Sequence, residues 1–311
     1  SISAETGVSI EAENTLIIFD EVQEVPKALT SLKYFYENAP QYAIVAAGSL
    51  LGVALHQGTS FPVGKVDFLD LYPLNFREFL CAMGEKQFVS MLDSCDTQMV
   101  TVFKTKYIER LREYYFVGGM PEVVKDFSEK KDYNRVRAIQ KNLINYYQQD
   151  FSKHAEIKLV PRLNLVWNSI PMQLAKENKK YIYGQVREGS RAKDFELAIQ
   201  WLLDCGLIHK VQRIQKPDLP LKAYIDFDSF KLFLVDIGLL IAMTDLDAKV
   251  IIEGNKIFTE FKGSLTEQYI LQQLISDVGV IPYYYSTQNS KGEIDFLVQG
   301  KTSVIPIEVK A

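Results

Sequence analysis

Short apolar runs separated by a helical pattern mark the first quarter of the chain. The runs cover residues 16–19, 42–47 and 66–71, and Pro26 opens a helix between the first two. Unbroken apolar runs, in place of alternation, are typical of parallel strands that helices cover on both faces. We therefore predict an α/β fold with a parallel sheet in residues 1–75.

Helical spacing replaces the strand pattern after residue 75. Asn75 and Glu78 have the form of a capping box, in which two side chains satisfy each other's backbone amides at a helix start. The helical spacing breaks at Gly118 and Gly119, because glycine favours helix ends. We predict a helical, lid-like subdomain over residues 76–157.

The next segment has the order helix, helix, strand. One helix is predicted over residues 164–178, a second is capped by Ser190, and residues 207–213 form a strand. This order is that of a winged helix, and we predict one over residues 158–220.

The last part of the chain has the pattern of a small α/β unit. Two apolar pieces, at residues 224–225 and 232–235, precede a helix that Ser264 opens. Three strands are predicted after this helix, at residues 283–286, 293–298 and 304–309. We predict that residues 221–311 form a unit of their own.

Composition narrows the class of protein. The 311 residues, 47% apolar and 24% charged, suffice for two or three packed domains, and the net charge of −4 provides no overall attraction to nucleic acid or membrane. No apolar run is long enough to span a membrane, and no basic leader is present. Three cysteines, Cys81, Cys95 and Cys205, are far apart, which indicates reduced thiols and a cytoplasmic location.

Two acids, Asp20 and Glu21, follow the first apolar run directly. In nucleotide hydrolases, the first acid of such a strand-end pair helps to hold Mg²⁺ and the second orients the attacking water. Strand direction places both carboxylates at the C-terminal edge of the parallel sheet, where ligands of open α/β folds bind. A plain surface turn after a buried strand is the alternative, because a two-residue motif is common.

Four stretches carry a wider pattern: Leu-Ile-Ile-Phe-Asp-Glu-Val-Gln at 16–23, Ala-Gly-Ser at 47–49, Tyr-Pro-Leu-Asn-Phe-Arg-Glu-Phe at 72–79 and Gly-Gly-Met-Pro-Glu at 118–122. Together they resemble a prokaryotic family of AAA-type ATPases with a C-terminal domain of unknown function. The resemblance implies an AAA+ core in residues 1–75, ATP and Mg²⁺ as cofactors, and a homo-oligomer as one working form. It assigns Asp20 and Glu21 to the second nucleotide motif and Ser49 to the polar sensor position.

The phosphate loop of such ATPases, G-x-x-x-x-G-K-[ST], is absent from this sequence. The closest stretch, residues 58–65, has five residues between its glycines, ends before Val66 instead of a hydroxyl residue, and follows the acidic strand. The resemblance places the loop and its strand upstream of Ser1. We expect this chain alone to be deficient in ATP hydrolysis, and a cut N-terminus and a degenerate family member are both open explanations.

Basic residues surround the second helix and the strand of the predicted winged helix: Arg187, Arg191, Lys193, Lys210 and Arg213. Helix-turn-helix proteins use such residues to bind DNA phosphates. Acids such as Glu188 and Asp194 lie among them, so a mixed, solvated surface is the alternative.

Acids and a lysine near the C-terminus have the spacing of a metal-dependent nuclease. Glu267 lies on a predicted helix, Asp295 on a strand, and Glu308 and Lys310 on the next strand. Alternation places Glu308 and Lys310 on one face. With Asp295, two carboxylates can hold Mg²⁺ while the lysine stabilises charge on a phosphate.

This D…E-x-K pattern, which the resembled family shares, predicts a restriction-endonuclease-like fold for residues 221–311, with its last helices beyond Ala311. An active nuclease, a vestigial nuclease fold and a coincidence of exposed residues are all open. Glu267 can also be the acid of a capping box with Ser264.

Taken together, the patterns predict a nucleotide-dependent switch: an AAA-type ATPase core that moves a winged-helix and nuclease-like module, which binds DNA or a protein partner. Two alternatives stay open. One is a non-catalytic interaction or scaffold protein in which both sites are relics, and the other is an Mg²⁺-dependent DNA nuclease.

Overall fold

The computed structural model describes residues 2–49, 51–52, 64–176, 179–253, 259–287 and 292–310. The chain forms two compact units: the first unit is Ser1–Leu71 with Gln200–Leu207, and the second unit is Tyr72–Ile199 with Ile208–Ala311. None of the helices in these described ranges is long and apolar enough to cross a membrane.

The first unit contains a two-stranded parallel sheet. Helix α1 (Ile2–Thr6), strand β1 (Leu16–Phe19), helix α2 (Pro26–Asn38) and strand β2 (Ala43–Ala46) follow in order, and β1 pairs with β2 in parallel. Pro26 lies in the first turn of α2, where its fixed φ suits the helix and its missing N–H costs nothing. The predicted parallel β-α-β arrangement is confirmed here.

One face of this sheet is exposed within the described residues. Leu16, Ile18 and Val45 are 53%, 61% and 47% exposed. Helix α2 covers the opposite face, where the rings of Phe19 and Phe35 lie 6.0 Å apart. The expectation that helices cover both faces is therefore wrong for the described part of the sheet, because unbroken apolar runs do not by themselves supply a second covering helix.

The third predicted strand, at residues 66–71, is wrong. These residues adopt no regular secondary structure, and Leu69 and Leu71 are 87% and 90% exposed. An apolar run becomes a strand only where its backbone joins a hydrogen-bonded ladder. The described sheet of the first unit consists of β1 and β2, so residues 66–71 have no place in that ladder.

The second unit begins with the predicted run of helices. These are α3 (Phe76–Ala82), α4 (Lys86–Asp93), α5 (Thr97–Val102), α6 (Lys104–Val117), α7 (Pro121–Lys130) and α8 (Tyr133–His154). The capping box is confirmed: Asn75 Oδ1 accepts from the Glu78 N–H at 2.9 Å, and Glu78 Oε2 accepts from the Asn75 N–H at 2.8 Å.

Three further helices lead into the main sheet: α9 (Val160–Leu174), α10 (Tyr183–Val186) and α11 (Ala192–Asp204). The two predicted helices and the strand are present as α9, α11 and β3, and the short helix α10 between them was not predicted. Helix α9 begins four residues before its predicted start, because Pro161 in its first turn suits a helix start.

A five-stranded sheet follows. Its strands are β3 (Ile208–Ile214), β4 (Ile225–Leu234), β5 (Tyr283–Ser286), β6 (Glu293–Gln299) and β7 (Val304–Ile307), in the order β4-β3-β5-β6-β7. β3 pairs with β5 in parallel, and the other neighbours are antiparallel. The last three predicted strands are confirmed. The apolar pieces at 224–225 and 232–235 are not separate strands, because β4 extends from Ile225 to Leu234 and pairs with β3 on both sides of a bulge at residues 227–229.

This sheet crosses the boundary predicted at residue 220. Strand β3, predicted to belong to a winged helix, lies between β4 and β5. Strands from both sides of residue 220 therefore share one ladder. A separate winged helix and a restriction-endonuclease-like unit remain predictions.

The remaining helices are α12 (Ile237–Met243), α13 (Ala248–Ile252) and α14 (Thr259–Ser276). The prediction that Ser264 opens the last helix is wrong, because α14 begins at Thr259. Ser264 is buried inside α14, and its hydroxyl donates to the carbonyl of Leu174. Ser264 and Glu267 therefore do not form a capping box.

The predicted break at Gly118 and Gly119 is confirmed and has a tertiary cause. Gly118 ends α6 with φ of 75°, and a Cβ there would lie 2.2 Å from Oδ1 of Asp236. The Gly119 N–H donates to Oδ2 of Asp236 at 2.6 Å. Asp236 is fully buried and also caps α12, accepting from the Leu239 N–H at 3.0 Å. The glycine pair thus lets the backbone approach a buried carboxylate.

Candidate functional site

The ends of β1 and β2 bring together the residues predicted for nucleotide hydrolysis. Backbone hydrogen bonds continue past both strands, from the Ala47 N–H to the Phe19 carbonyl at 2.8 Å and from the Val22 N–H to the Ala47 carbonyl at 3.0 Å. These bonds hold the two strand ends side by side. As a result, the Ser49 hydroxyl lies 3.5 Å from Oε2 of Glu21.

Glu21 occupies an unusual backbone position. It has φ of 47° in the left-handed region, which non-glycine residues rarely adopt and which often marks a functional site. Its N–H donates to Oδ1 of Asp20 at 3.0 Å. Both side chains are exposed to solvent, and carboxylate oxygens are the ligands that Mg²⁺ prefers. The strand-end acids therefore fit a magnesium ion chemically.

Gln23 is a further member of this site that was not predicted from the sequence. Its Nε2 donates to Oε2 of Glu21. Its Oε1 faces Gly48, where a Cβ would lie 2.1 Å away. Glycine at position 48 therefore leaves room for the amide that holds Glu21. The only sequence signal was the place of Gln23 in the motif at 16–23.

The glycine-containing stretch at 58–65 lies mostly outside the described residues. Lys65 is described, and its ammonium lies 3.9 Å from Oε1 of Glu37 and 4.6 Å from the centre of the Tyr36 ring. Both partners belong to α2, so Lys65 is engaged with that helix.

A second group of charged residues lies at the main sheet, around Glu267 of α14. Oε1 of Glu267 pairs with the ammonium of Lys179, and Oε2 lies 3.5 Å from the ammonium of Lys231. Lys231 is only 1% exposed, and its Nζ is 2.5 Å from Oε1 of Glu293 and 4.8 Å from the centre of the Tyr284 ring. Burial raises the pKa of Glu267, and the ammonium groups of Lys231 and Lys179 oppose that rise.

Glu267 was predicted from the sequence, but its partners Lys179 and Lys231, and the second acid at Lys231, Glu293, were not. The available signal for Lys231 was a charged residue inside the apolar run of β4, between Phe230 and Leu232. Such a position requires a buried partner. Lys179 and Glu293 gave no signal, because both lie far from Lys231 in sequence and next to ordinary turns.

Asp295, Glu308 and Lys310 lie on β6 and just beyond β7. Asp295 Oδ2 accepts from the Val309 N–H at 2.8 Å, and the ammonium of Lys310 lies 2.7 Å from Oε1 of Glu308. The Glu308 carboxylate, and more weakly that of Asp295, raises the pKa of Lys310. The predicted strand to residue 309 is too long, since β7 ends at Ile307; nevertheless, Glu308 and Lys310 are neighbours.

The described residues contain no cluster of three or more His, Cys, Asp and Glu side chains that could hold a metal ion. Mg²⁺ at Asp20, or at Asp295 and Glu308, therefore remains a prediction from the residue types. What the structure does show is which residues surround these acids and which hydrogen bonds the acids form.

The five basic residues predicted to bind DNA fall into two groups. Arg187, Arg191 and Lys193 are exposed at and before the start of α11. They lie within a stretch of seven residues. They form the exposed basic group of the second unit.

Lys210 and Arg213 are bound within the second unit. Arg213 Nη2 pairs with Oδ2 of Asp226 at 2.6 Å, and the ammonium of Lys210 lies 4.3 Å from the centre of the Phe230 ring. Burial lowers the pKa of Lys210. These two contacts stabilise the pairing of β3 with β4, which suits a structural role better than DNA binding.

Comparison with known proteins divides the chain into matched segments. Residues 3–80 match the family model of an AAA domain, residues 108–250 match a domain of unknown function, DUF8612, and residues 262–311 match another, DUF4143. No curated protein matches significantly. Among solved structures, the chain is similar to the Walker-type ATPase PABY2304 of Pyrococcus abyssi, with 14% sequence identity, a TM-score of 0.47, and coverage of 78% of this chain and 74% of that chain.

The AAA-domain match spans Asp20, Glu21 and Ser49. The matches to domains of unknown function assign no chemistry to the charged groups of the second unit. The AAA type predicted for the N-terminal segment is thus supported by its family model.

Proposed function

We propose that the chain carries the strand ends at which an AAA-type ATPase hydrolyses ATP. In this proposal the ATPase acts as a nucleotide-dependent switch on a C-terminal binding module. The contact between Ser49 and Glu21, 3.5 Å apart at the ends of two parallel strands, carries this proposal. The match of residues 3–80 to an AAA domain supports it.

The residues at this edge have distinct roles in the proposal. Asp20 helps to hold Mg²⁺, and the Glu21 carboxylate orients a water molecule and accepts its proton. Gln23 and Ser49 fix the Glu21 carboxylate by hydrogen bonds. When bound, ATP with Mg²⁺ supplies the phosphoanhydride bond that is cleaved. Without a phosphate loop, the chain alone is expected to bind nucleotide weakly.

ATP hydrolysis by the full-length gene product tests this proposal. Replacing Glu21→Gln should lower kcat about 100-fold or more while ATP still binds, because only the group that activates water is lost. Glu24→Gln, three residues later in the same exposed turn, is the matched control and should retain activity. Equal hydrolysis by the Glu21→Gln protein and the unaltered protein would contradict the role of Glu21, and no hydrolysis by the unaltered protein would favour a scaffold protein with relic sites.

DNA binding through the exposed basic group is the proposed role of the second unit. Changing Arg187, Arg191 and Lys193 to Gln removes up to three phosphate contacts, so the slope of log K against log salt should fall by about 2–3. Gln at the exposed residues Lys104, Lys125 and Lys158 is a charge-matched control. If both triple variants bind DNA as the unaltered chain does, the exposed basic group is a solvated surface and DNA binds elsewhere; if the unaltered chain binds no DNA, a protein is the partner.

Mg²⁺-dependent DNA cleavage is a second candidate function, favoured by the grouping of Asp295, Glu308 and Lys310. Single- and double-stranded DNA should be cleaved with Mg²⁺, and Asp295→Ala and Lys310→Ala should each abolish cleavage. Lys301→Ala, in the turn between β6 and β7, is the control. DNA binding without cleavage would leave a vestigial nuclease fold that serves as a binding platform.

A further inference from the structure

Lys231 is a fully buried lysine on β4. Its side chain is 1% exposed, and an ammonium group removed from water is stable only when it is paired and hydrogen-bonded. In register, Lys231 stands opposite Val211 of β3. Its ammonium reaches past β3 to the Tyr284 ring of β5, 4.8 Å away, and to Glu293 at the start of β6.

Two carboxylates from different elements converge on this ammonium. Glu293 Oε1 lies 2.5 Å from Lys231 Nζ, and Glu267 Oε2 of α14 lies 3.5 Å from it. The two oxygens are therefore separated by no more than about 6 Å, close to the span across which one cation joins two carboxylates. A positive charge already stands between them.

Two ammonium groups lie among the described acids of this cluster, and the carboxylate of Asp295 is a third, weaker neighbour of Glu267. Lys179 pairs with the other oxygen of Glu267, so two ammonium groups face the two carboxylates of Glu267 and Glu293. A divalent ion added to this arrangement would have to displace Lys231 from a buried position.

We propose that the Lys231 ammonium is a built-in cation that takes the place of a divalent metal ion between Glu267 and Glu293. This inference rests on the charged group around Glu267 in the proposed C-terminal module. It makes Glu267 a positioning residue that ties α14 to β4 and β6, and it leaves Asp295 and Glu308 as the acids available to Mg²⁺. Removing the ammonium should open a divalent-cation site.

Thermal unfolding with EDTA, Mg²⁺, Mn²⁺ or Ca²⁺ tests the proposal. Lys231→Met keeps the length of the side chain and removes its charge, so in EDTA the Tm should fall by about 5–10 °C. Millimolar Mn²⁺ or Ca²⁺ should restore at least half of this loss. The unaltered chain should show no Glu267-dependent shift, and Lys222→Met, at an exposed lysine before β4, should behave like the unaltered chain.

The double variant Lys231→Met/Glu267→Gln should not respond to the cations, because one of the two ligands is gone. A cation-dependent rise in the unaltered chain that Glu267→Gln removes would overturn the proposal, as would a Lys231→Met protein with unchanged Tm and no cation response. These Tm measurements do not depend on DNA cleavage or ATP hydrolysis. Failure of the proposed function can therefore be distinguished from failure of this proposal.

A second set of variants covers the case in which Lys231→Met does not fold. The double variant Glu267→Gln/Glu293→Gln leaves the Lys231 ammonium buried without these two carboxylates and should lower the Tm. Adding Lys231→Met should recover part of the loss, because the uncompensated charge is then removed. Recovery is expected only if Lys231 is the partner of both acids. No recovery would contradict the proposal.

Discussion

Asp236 accepts hydrogen bonds from three sides in the interior of the second unit. Its carboxylate receives the N–H groups of Gly119 and Leu239 and the amide of Gln272. Burial raises the pKa of Asp236, and these hydrogen bonds oppose the rise. A single carboxylate thereby fixes the α6–α7 turn, the start of α12 and the C-terminal half of α14.

Gly118→Ala should be far more destabilising than Gly279→Ala. The two glycines have nearly the same φ, 75° and 73°, but only Gly118 has Asp236 in the space of a Cβ, whereas nothing lies within 4 Å of the Cβ position of Gly279. We expect losses of about 3 and about 1 kcal/mol, respectively, measured by urea unfolding. Equal losses would mean that Asp236 moves aside freely.

His209 on β3 should make stability depend on pH. Burial lowers the pKa of His209 to about 4, below the value of about 6.5 in an unfolded chain. The unfolded state therefore takes up a proton first, and stability that is complete above pH 6.5 is lost as the pH falls towards 4. The loss should reach up to about 3 kcal/mol.

The variant His209→Gln isolates this contribution. The difference in unfolding free energy between the unaltered chain and the variant should shrink steadily between pH 6.5 and pH 4. His154→Gln, at a half-buried position at the end of α8, is the control. Two parallel pH curves for the unaltered chain and His209→Gln would refute the effect.

At the scale of elements, the capping box of α3 gives a local test. Asn75→Ala should cost about 1 kcal/mol of unfolding free energy. Because Asn75 and Glu78 hold each other's N–H groups, the double variant with Glu78→Ala should cost less than the sum of the single changes. Glu122→Ala, at the first turn of α7, is the comparison. Additive losses would indicate that the two hydrogen bonds are independent.

Elements with local signals were predictable from the sequence. Pro26, Asn75 and Gly118 each act on the few residues beside them, and α2, α3 and the end of α6 are where these residues indicate. The run at 66–71 was not predictable, since a strand also needs a partner strand. Lys231 was missed for the same reason, because its partners Glu267 and Glu293 are 36 and 62 positions away.

In the candidate sites, too, features with a local sequence signal were predictable, and contacts that depend on tertiary packing were not. The sequence indicated that Asp20 and Glu21 end a strand, and the resemblance assigned Ser49 to the end of the next one; in the structure Ser49 lies beside Glu21. The sequence did not indicate that Gln23 holds Glu21, since this depends on the space left by Gly48. It also gave no sign that Arg213 is paired with Asp226 and so differs from the exposed Arg187.

At the scale of the whole molecule, the two sheets should differ in local stability. β1 and β2 have no fully buried residue, whereas β4 is buried from Ser229 to Leu234. Amide hydrogens of β1 and β2 should therefore exchange with solvent at least tenfold faster than those of β3 and β4 in native-state hydrogen exchange. Equal protection factors would show that both sheets open in one cooperative event.

The position of β3 between β4 and β5 has a consequence for synthesis of the chain. β3 is complete at Ile214, but β5 begins only at Tyr283. A ribosome adds about 5–20 residues per second, so the roughly 70 residues between the two strands take several seconds to appear. During that time, one edge of β3 in the nascent chain lacks its partner strand β5. An open strand edge invites aggregation, so translation speed and chaperone access after residue 214 should govern the yield of folded protein.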